Sequence, residues 1–196
     1  RGVFILALLA VTVGGSLTLF AIRAPKLQTT GVFQPISREG ALLLNSLFLS
    51  AAAATVLLGT LYPLFLDVLD AGKVSVGPPF FNATFGPLMA PVLGAMVIGP
   101  FLSWKRADFR QAMQKLWLGV AAAVTAIVLV LILSGVEGIL PAVGVGAAVW
   151  IICGTLLELA DRVKLARVPL SESWRRARRT PRAAYGMTVA HLGVGL

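Results

Sequence analysis

The run Leu116 to Leu133, LWLGVAAAVTAIVLVLIL, decides how this chain must be read. It carries no charged residue, and its length is close to the roughly 20 helical residues that cross a ~30 Å hydrocarbon core. Its apolar residues follow one another without the polar alternation that a barrel lumen imposes, so the run reads as a helix. Comparable blocks lie on either side: Gly2 to Ile22, Ala41 to Leu66, Pro87 to Leu102, Gly138 to Leu157 and a shorter Ala183 to Leu196. The expected fold is all-α, a polytopic transmembrane bundle of five full spans and a truncated sixth, with residues 1–196 forming one membrane domain. The last block has 14 residues, about 21 Å of helix, which is too short to cross. The first follows Arg1 directly, with no initiator Met and no small-residue cleavage site, so both ends read as cuts in a longer chain.

Composition points the same way. Hydrophobic residues make up 58% of the 196 and charged residues 13%, about half the share of a soluble domain, and the mean hydropathy is +0.89. The net charge of +9 does not signal nucleic-acid binding, because the charges lie between the apolar blocks. Successive connections hold 3, 1, 4, 0 and 8 Lys or Arg residues. Basic residues are retained on the cytoplasmic side. That rule puts Arg1, the segment Asp67 to Gly86 and the turn Ser134 to Glu137 on the outer face, and the three basic connections in the cytoplasm. The cluster Trp174 to Arg182 is explained by this topology; its second reading is a site for anionic lipid or a partner. Trp174 with Val163, Leu165, Val168 and Leu170 has the makings of an interfacial helix.

The outer segment contains Gly77-Pro78-Pro79-Phe80-Phe81-Asn82, which is expected not to be helical throughout and presents two aromatic rings together. It suits either docking of a flat apolar object or a rigid turn that seats Phe80, Phe81 and Phe85 at the interface. Asn82-Ala83-Thr84 is a formal glycosylation sequon, a weak signal at this length.

Polar residues inside the spans are few. Asn45 is expected to pack between helices or lie at the interface, and Glu137 and Glu158 sit at helix ends where snorkelling to water suffices. Cys153, the single cysteine, excludes an internal disulfide and reads as a small core residue. His191, the only histidine, lies nine residues beyond Arg182, or about 14 Å into the membrane at 1.5 Å per residue. A neutral imidazole at that depth needs a hydrogen bond to another helix, a proton pathway or a metal. Gly186, Ala190 and Gly193 are small neighbours that would let a planar cofactor or a second helix approach, and haem is commonly held by axial His. Met187 shares a face with His191, so an opposite axial ligand must come from another helix. There is no second histidine, no Cys pair, no acidic pair at helical spacing within a span and no phosphate loop, which argues against hydrolytic chemistry.

Several ordered runs resemble the CcmF family of haem lyases, in their C-terminal half. They are Gly14-Gly15-Ser16-Leu17 with Leu19-Phe20-Ala21, and Ser37-Arg38-Glu39-Gly40-Ala41-Leu42-Leu43-Leu44-Asn45. Then come Ala51 to Ala54 with Leu57 to Pro63, Val76 to Asn82, Tyr185-Gly186-Met187 and Ala190-His191-Leu192-Gly193. The resemblance implies a part in joining haem, received from a periplasmic haem chaperone, to the Cys-x-x-Cys-His motif of apocytochrome c, alongside other cytochrome c maturation subunits. It implies a haem b between two membrane histidines, with His191 as one axial ligand of the iron, and a bacterial inner-membrane location. By the same resemblance Gly77, Pro78, Pro79, Phe80, Phe81 and Asn82 help shape an outer-face site. The family's tryptophan-rich periplasmic segment and its other haem-ligating histidines are missing, so the chain is expected to hold half of a haem site and not to act alone. Two other function classes remain open: a module transporting haem or another apolar solute, and a structural membrane subunit in which His191 only hydrogen-bonds a neighbouring helix.

Overall fold

The structure, a computed structural model, describes residues 2–26, 31–70, 72, 74–134 and 139–196. Among the described residues seven α-helices follow in order: α1 Gly2–Arg23, α2 Arg38–Val68, α3 Pro78–Ile98, α4 Phe109–Ser134, α5 Ile139–Arg162, α6 Leu170–Arg179 and α7 Arg182–Gly195. Short 3-10 turns, Ala24–Lys26 and Gly99–Phe101, extend α1 and α3. The first five helices are long and apolar enough to cross a membrane, and no strand occurs among the described residues. The all-α polytopic architecture and the shorter final helix agree with the sequence reading. The turn 135–137, Glu137, Lys73, Arg1 and the start of the fifth expected span at Gly138 lie outside the described residues.

The main correction concerns the third span, which starts at Pro78 and not at Pro87. The connection expected over 67–86 therefore shrinks to 69–77, and Phe80, Phe81 and Asn82 are helical. The physical reason is that Pro78 and Pro79 open the first turn, where a helix needs no N–H donor and a fixed φ is an advantage. Pro87 and Pro91 then lie within α3, each removing one helical hydrogen bond without ending it.

The chain divides into two units. Residues 1–32 contain α1, whose hydroxyls turn back onto its own carbonyls: Thr12 to Leu8, Ser16 to Thr12 and Thr18 to Gly14. This satisfies each polar group inside the helix, as lipid requires.

Residues 33–196 form a bundle built around α5. Small residues on α5 admit its neighbours. A Cβ on Gly154 would meet Val97 Cγ1 of α3 at 2.0 Å, and one on Gly146 would meet Ile127 Cγ1 of α4 at 2.3 Å. On α7, a Cβ at Gly195 would lie 2.8 Å from Ile152 Cγ1. Lipid gives helices no hydrophobic reason to associate, so close packing of this kind has to hold them. Val97, Leu116 and Ile151 form the buried centre, flanked by Leu93, Met96, Phe101, Trp150 and Leu157. The Trp150 indole N–H donates to the Gly94 carbonyl at 3.2 Å, which ties α5 to α3 by a polar bond as well.

Candidate functional site

The start of α2 is fixed by four consecutive residues with separate tasks. Ser37 is fully buried and its hydroxyl accepts from the Gly40 N–H at 3.0 Å, capping the helix. The Arg38 guanidinium stacks 5.1 Å from the Trp104 ring centre. Glu39 accepts from the Lys105 backbone N–H at 2.6 Å. Gly40 has no alternative, because a Cβ there would lie 2.1 Å from the Pro35 carbonyl oxygen. Backbone bonds from Gln34 to Lys105, Arg38 to Ser103 and Ala107 to Ile36 complete a splice between the α2 and α4 approaches. The Ser-Arg-Glu-Gly run is legible in the sequence as a motif, but its role as a splice is not, because its partners lie more than sixty residues away.

Above this splice α2, α3 and α7 enclose a cavity of about 220 Å³. His191 and Met187 of α7 line it together, facing Asn45 and Phe48 of α2 and Met96 of α3, with Arg38 at one end. His191 is half-buried and Thr188 and Gly195 on the same helix are buried. Thus α7 turns one side to α5 and sets His191 and Met187 on the flank beside it. Gly186, Ala190 and Gly193 are not part of the cavity wall. At about 100° per residue they lie roughly 100–160° around α7 from His191, and a Cβ at Gly186 or Gly193 would meet nothing within 4 Å. The small residues expected to admit a cofactor beside the imidazole therefore face elsewhere. The space at His191 comes from the separation of α7 from α2 and α3.

The aromatic pair is at the other end of the same hairpin. Phe80 and Phe81 meet edge to face at 5.3 Å between ring centres, and both pack on Gly59 of α2. A Cβ on Gly59 would come within 2.7 Å of Phe80 and 3.2 Å of Phe81. Pro63 also leaves the Gly59 carbonyl without its helical donor, so this turn of α2 is relieved of both side chain and hydrogen bond. Asn45 and Gly59 are fourteen residues apart on α2, about 21 Å along its axis. The structure therefore does not join Gly77 to Asn82 with His191 in one site. Phe80 remains 38% exposed beside Gly77, Pro78 and Pro79.

Glu158 departs from the expected snorkelling. It is 9% exposed, and one carboxylate oxygen accepts both Nε and Nη2 of Arg162, one turn away. The other oxygen and the Thr155 hydroxyl, a turn earlier, are buried without a partner among the described residues. No cluster of three or more His, Cys, Asp or Glu side chains suited to a metal ion occurs among the described residues, so His191 is the sole imidazole donor the described fold offers. Asn45 lines the cavity with His191, whereas Cys153, expected as a small core residue, is only half-buried.

No family model matches the chain. Among curated proteins, it is 46% identical over 196 residues to the cytochrome c-type biogenesis protein CycK of Rhizobium meliloti, covering 100% of this chain and 29% of that protein. It is 47% identical over 200 residues to CycK of Bradyrhizobium diazoefficiens, covering 100% and 30%. To CcmF of Escherichia coli it is 34% identical over 197 residues, covering 100% and 29%. The chain thus spans under a third of the length of these relatives. A solved structure of the cytochrome c haem lyase CcmF superposes with a TM-score of 0.56 at 30% identity, covering 83% of this chain and 24% of that one. End-to-end similarity in sequence, supported by the shared backbone, leads to one conclusion: the chain belongs to the CcmF and CycK family of cytochrome c-type biogenesis proteins.

Proposed function

We propose that this chain is part of a membrane haem lyase and supplies one side of a transmembrane haem b site, with His191 as an axial ligand. The observation that carries the proposal is the position of His191 on the wall of the cavity between α2, α3 and α7. The residues present fit such a group. An imidazole is a common haem donor; Phe48, Val92, Ala95 and Met96 offer an apolar wall, and Arg38 offers a cation to an acidic substituent. At about 220 Å³ the cavity is below the ~300–1,000 Å³ of a complete small-molecule site, which supports a site finished by elements outside this chain. A bound haem would supply a one-electron couple at membrane depth. His191 would hold it, and Phe48, Val92, Ala95 and Met96 would pack against it. Met187 shares this flank of α7 with His191, so a second donor to the group would have to come from another helix.

The wider reading follows the family. The parent protein acts in the bacterial inner membrane, attaching haem to apocytochrome c with a periplasmic haem chaperone and other maturation subunits, and Gly77 to Asn82 contribute on the outer face. Sidedness is supported by the way basic residues from separate connections gather at one end of the bundle. Arg38 stacks on Trp104, while Lys115 lies 6.0 Å from the Phe101 ring and 2.9 Å from Asp161. Arg167 reaches the same carboxylate at 2.9 Å. The Phe80 and Phe81 end carries none of these. A transporter reading loses ground because α3 is continuous through Pro87 and Pro91 and offers no broken helix at the midplane.

The test is His191→Ala in the full-length protein, purified in detergent. Loss of the membrane haem spectrum at normal protein level is expected, and an unchanged spectrum would overturn the ligand assignment.

A further inference from the structure

A second polar site lies where α5, α6 and α7 meet. Arg162, Glu172, Arg175, Arg176, Arg179, Thr180 and Pro181 line a groove of about 400 Å³. Two of its four guanidinium groups are already engaged: Arg162 with Glu158, and Arg176 with Glu172 at 2.6 and 3.1 Å. The Arg176 guanidinium holds the Glu172 carboxyl below its usual range, with Arg175 and Lys164 assisting, so that pair stays ionised. Arg175 and Arg179 make no ion pair among the described residues, although both face the groove. They are four residues apart on α6, neighbours on one side of the helix. Like charges at that spacing are unfavourable unless an anion lies between them.

Two further features select the anion. The N-terminus of α7 opens on the same groove through Pro181, and no side chain caps it, so its first N–H groups favour negative charge. On the other side of α6, Leu170 and Trp174 are uncovered, 76% and 68% exposed, with Arg178 one turn from Trp174. A ten-residue helix that follows a membrane span, with Arg175, Arg176 and Arg179 on one side and Leu170 and Trp174 on the other, is built to lie in the headgroup layer. A soluble anion needs no such apolar flank. We propose that this groove binds the phosphate of an anionic phospholipid through Arg175 and Arg179, while Leu170 and Trp174 on the other side of α6 seat the helix among the acyl chains of the surrounding bilayer.

The test uses the full-length protein, delipidated in detergent and titrated with short-chain phosphatidylglycerol, short-chain phosphatidylcholine or inorganic phosphate. Phosphatidylglycerol should bind at least about tenfold more tightly than either of the others. Two basic residues near a membrane surface account for about 30-fold in affinity, so R175Q/R179Q should weaken phosphatidylglycerol binding by that factor. Arg178 lies outside the groove, and R178Q should leave the affinity within about twofold. Equal losses in R178Q and in the pair would overturn the site in favour of diffuse charge. Inorganic phosphate binding as well as the lipid would overturn the lipid assignment. Should the double variant fold poorly, equal affinity of the wild-type protein for the two lipids overturns the proposal without it.

Discussion

Consider Gly154→Ala, a change of one methyl group at the crossing of α5 and α3. The new Cβ would stand 2.0 Å from Val97 Cγ1 and 3.1 Å from its Cβ and Cγ2, where ordinary carbon contacts are ~3.5–4.0 Å. Something must therefore move by about 1.5 Å. Val97 has little freedom, being 3% exposed and enclosed by Leu116, Ile151, Leu93, Met96 and Trp150. As a β-branched residue in a helix it has one strongly preferred rotamer, and leaving it costs about 1 kcal/mol. Separating the helices instead would lengthen the 3.2 Å bond from Trp150 to the Gly94 carbonyl. Overpacking in a rigid core costs about 1–3 kcal/mol, and this site should fall near 2–3. Val97→Ala alone leaves a small void and should cost about 1–2 kcal/mol. Together the two changes partly exchange one methyl for another, so the double variant should be about 1–2 kcal/mol more stable than the sum of the singles implies. The assay is unfolding of the full-length protein in mixed micelles. Additivity within about 0.5 kcal/mol would refute direct contact between Gly154 and Val97.

Other substitutions probe separate parts of the account. Ser37→Ala removes the α2 cap and should lower stability by about 1 kcal/mol in the same assay, and Gly40→Ala should cost more, since its Cβ would meet a backbone carbonyl at 2.1 Å that no rotamer can move. Trp150→Phe keeps an aromatic ring but loses the indole N–H bond to Gly94 and some packing volume, and should cost at least about 1 kcal/mol; no change in stability would argue against that bond. Phe80→Ala should lower cytochrome c maturation at normal protein level, and full maturation would reduce the aromatic pair to packing against Gly59.

Span count and helical class are legible because lipid makes hydrophobic length decisive, and every block from Leu116 to Leu133 outward can be weighed on its own. The start of α3 is less legible. Pro-Pro marks a helix boundary without saying on which side the helix lies; in the structure Pro78 and Pro79 take the first turn of α3, and Phe80 and Phe81 pack on Gly59. His191 stands out as the sole histidine, yet its setting depends on rotation of α7, which Gly195 fixes by packing on α5. Glycine pairs show the same limit. Gly119 and Gly144 each have an alanine four residues on, yet a Cβ on Gly119 would meet Trp150 and Leu157 at 3.6 Å whereas one on Gly144 would meet nothing within 4 Å. Glu158 resembled a snorkelling end residue because burial by neighbouring helices leaves no trace in local sequence.

The central claim is that the His191 imidazole itself ligates haem, which a loss of haem after substitution does not separate from a disturbed helix. In the full-length protein His191→Gly removes the imidazole and leaves space beside a cavity that already exists. The decisive measurement is the absorption spectrum of that variant before and after added imidazole. The account predicts little haem without imidazole and recovery of the membrane haem spectrum with it. A spectrum unchanged by the substitution, or one lost and not restored by imidazole in a variant of normal stability, would contradict it.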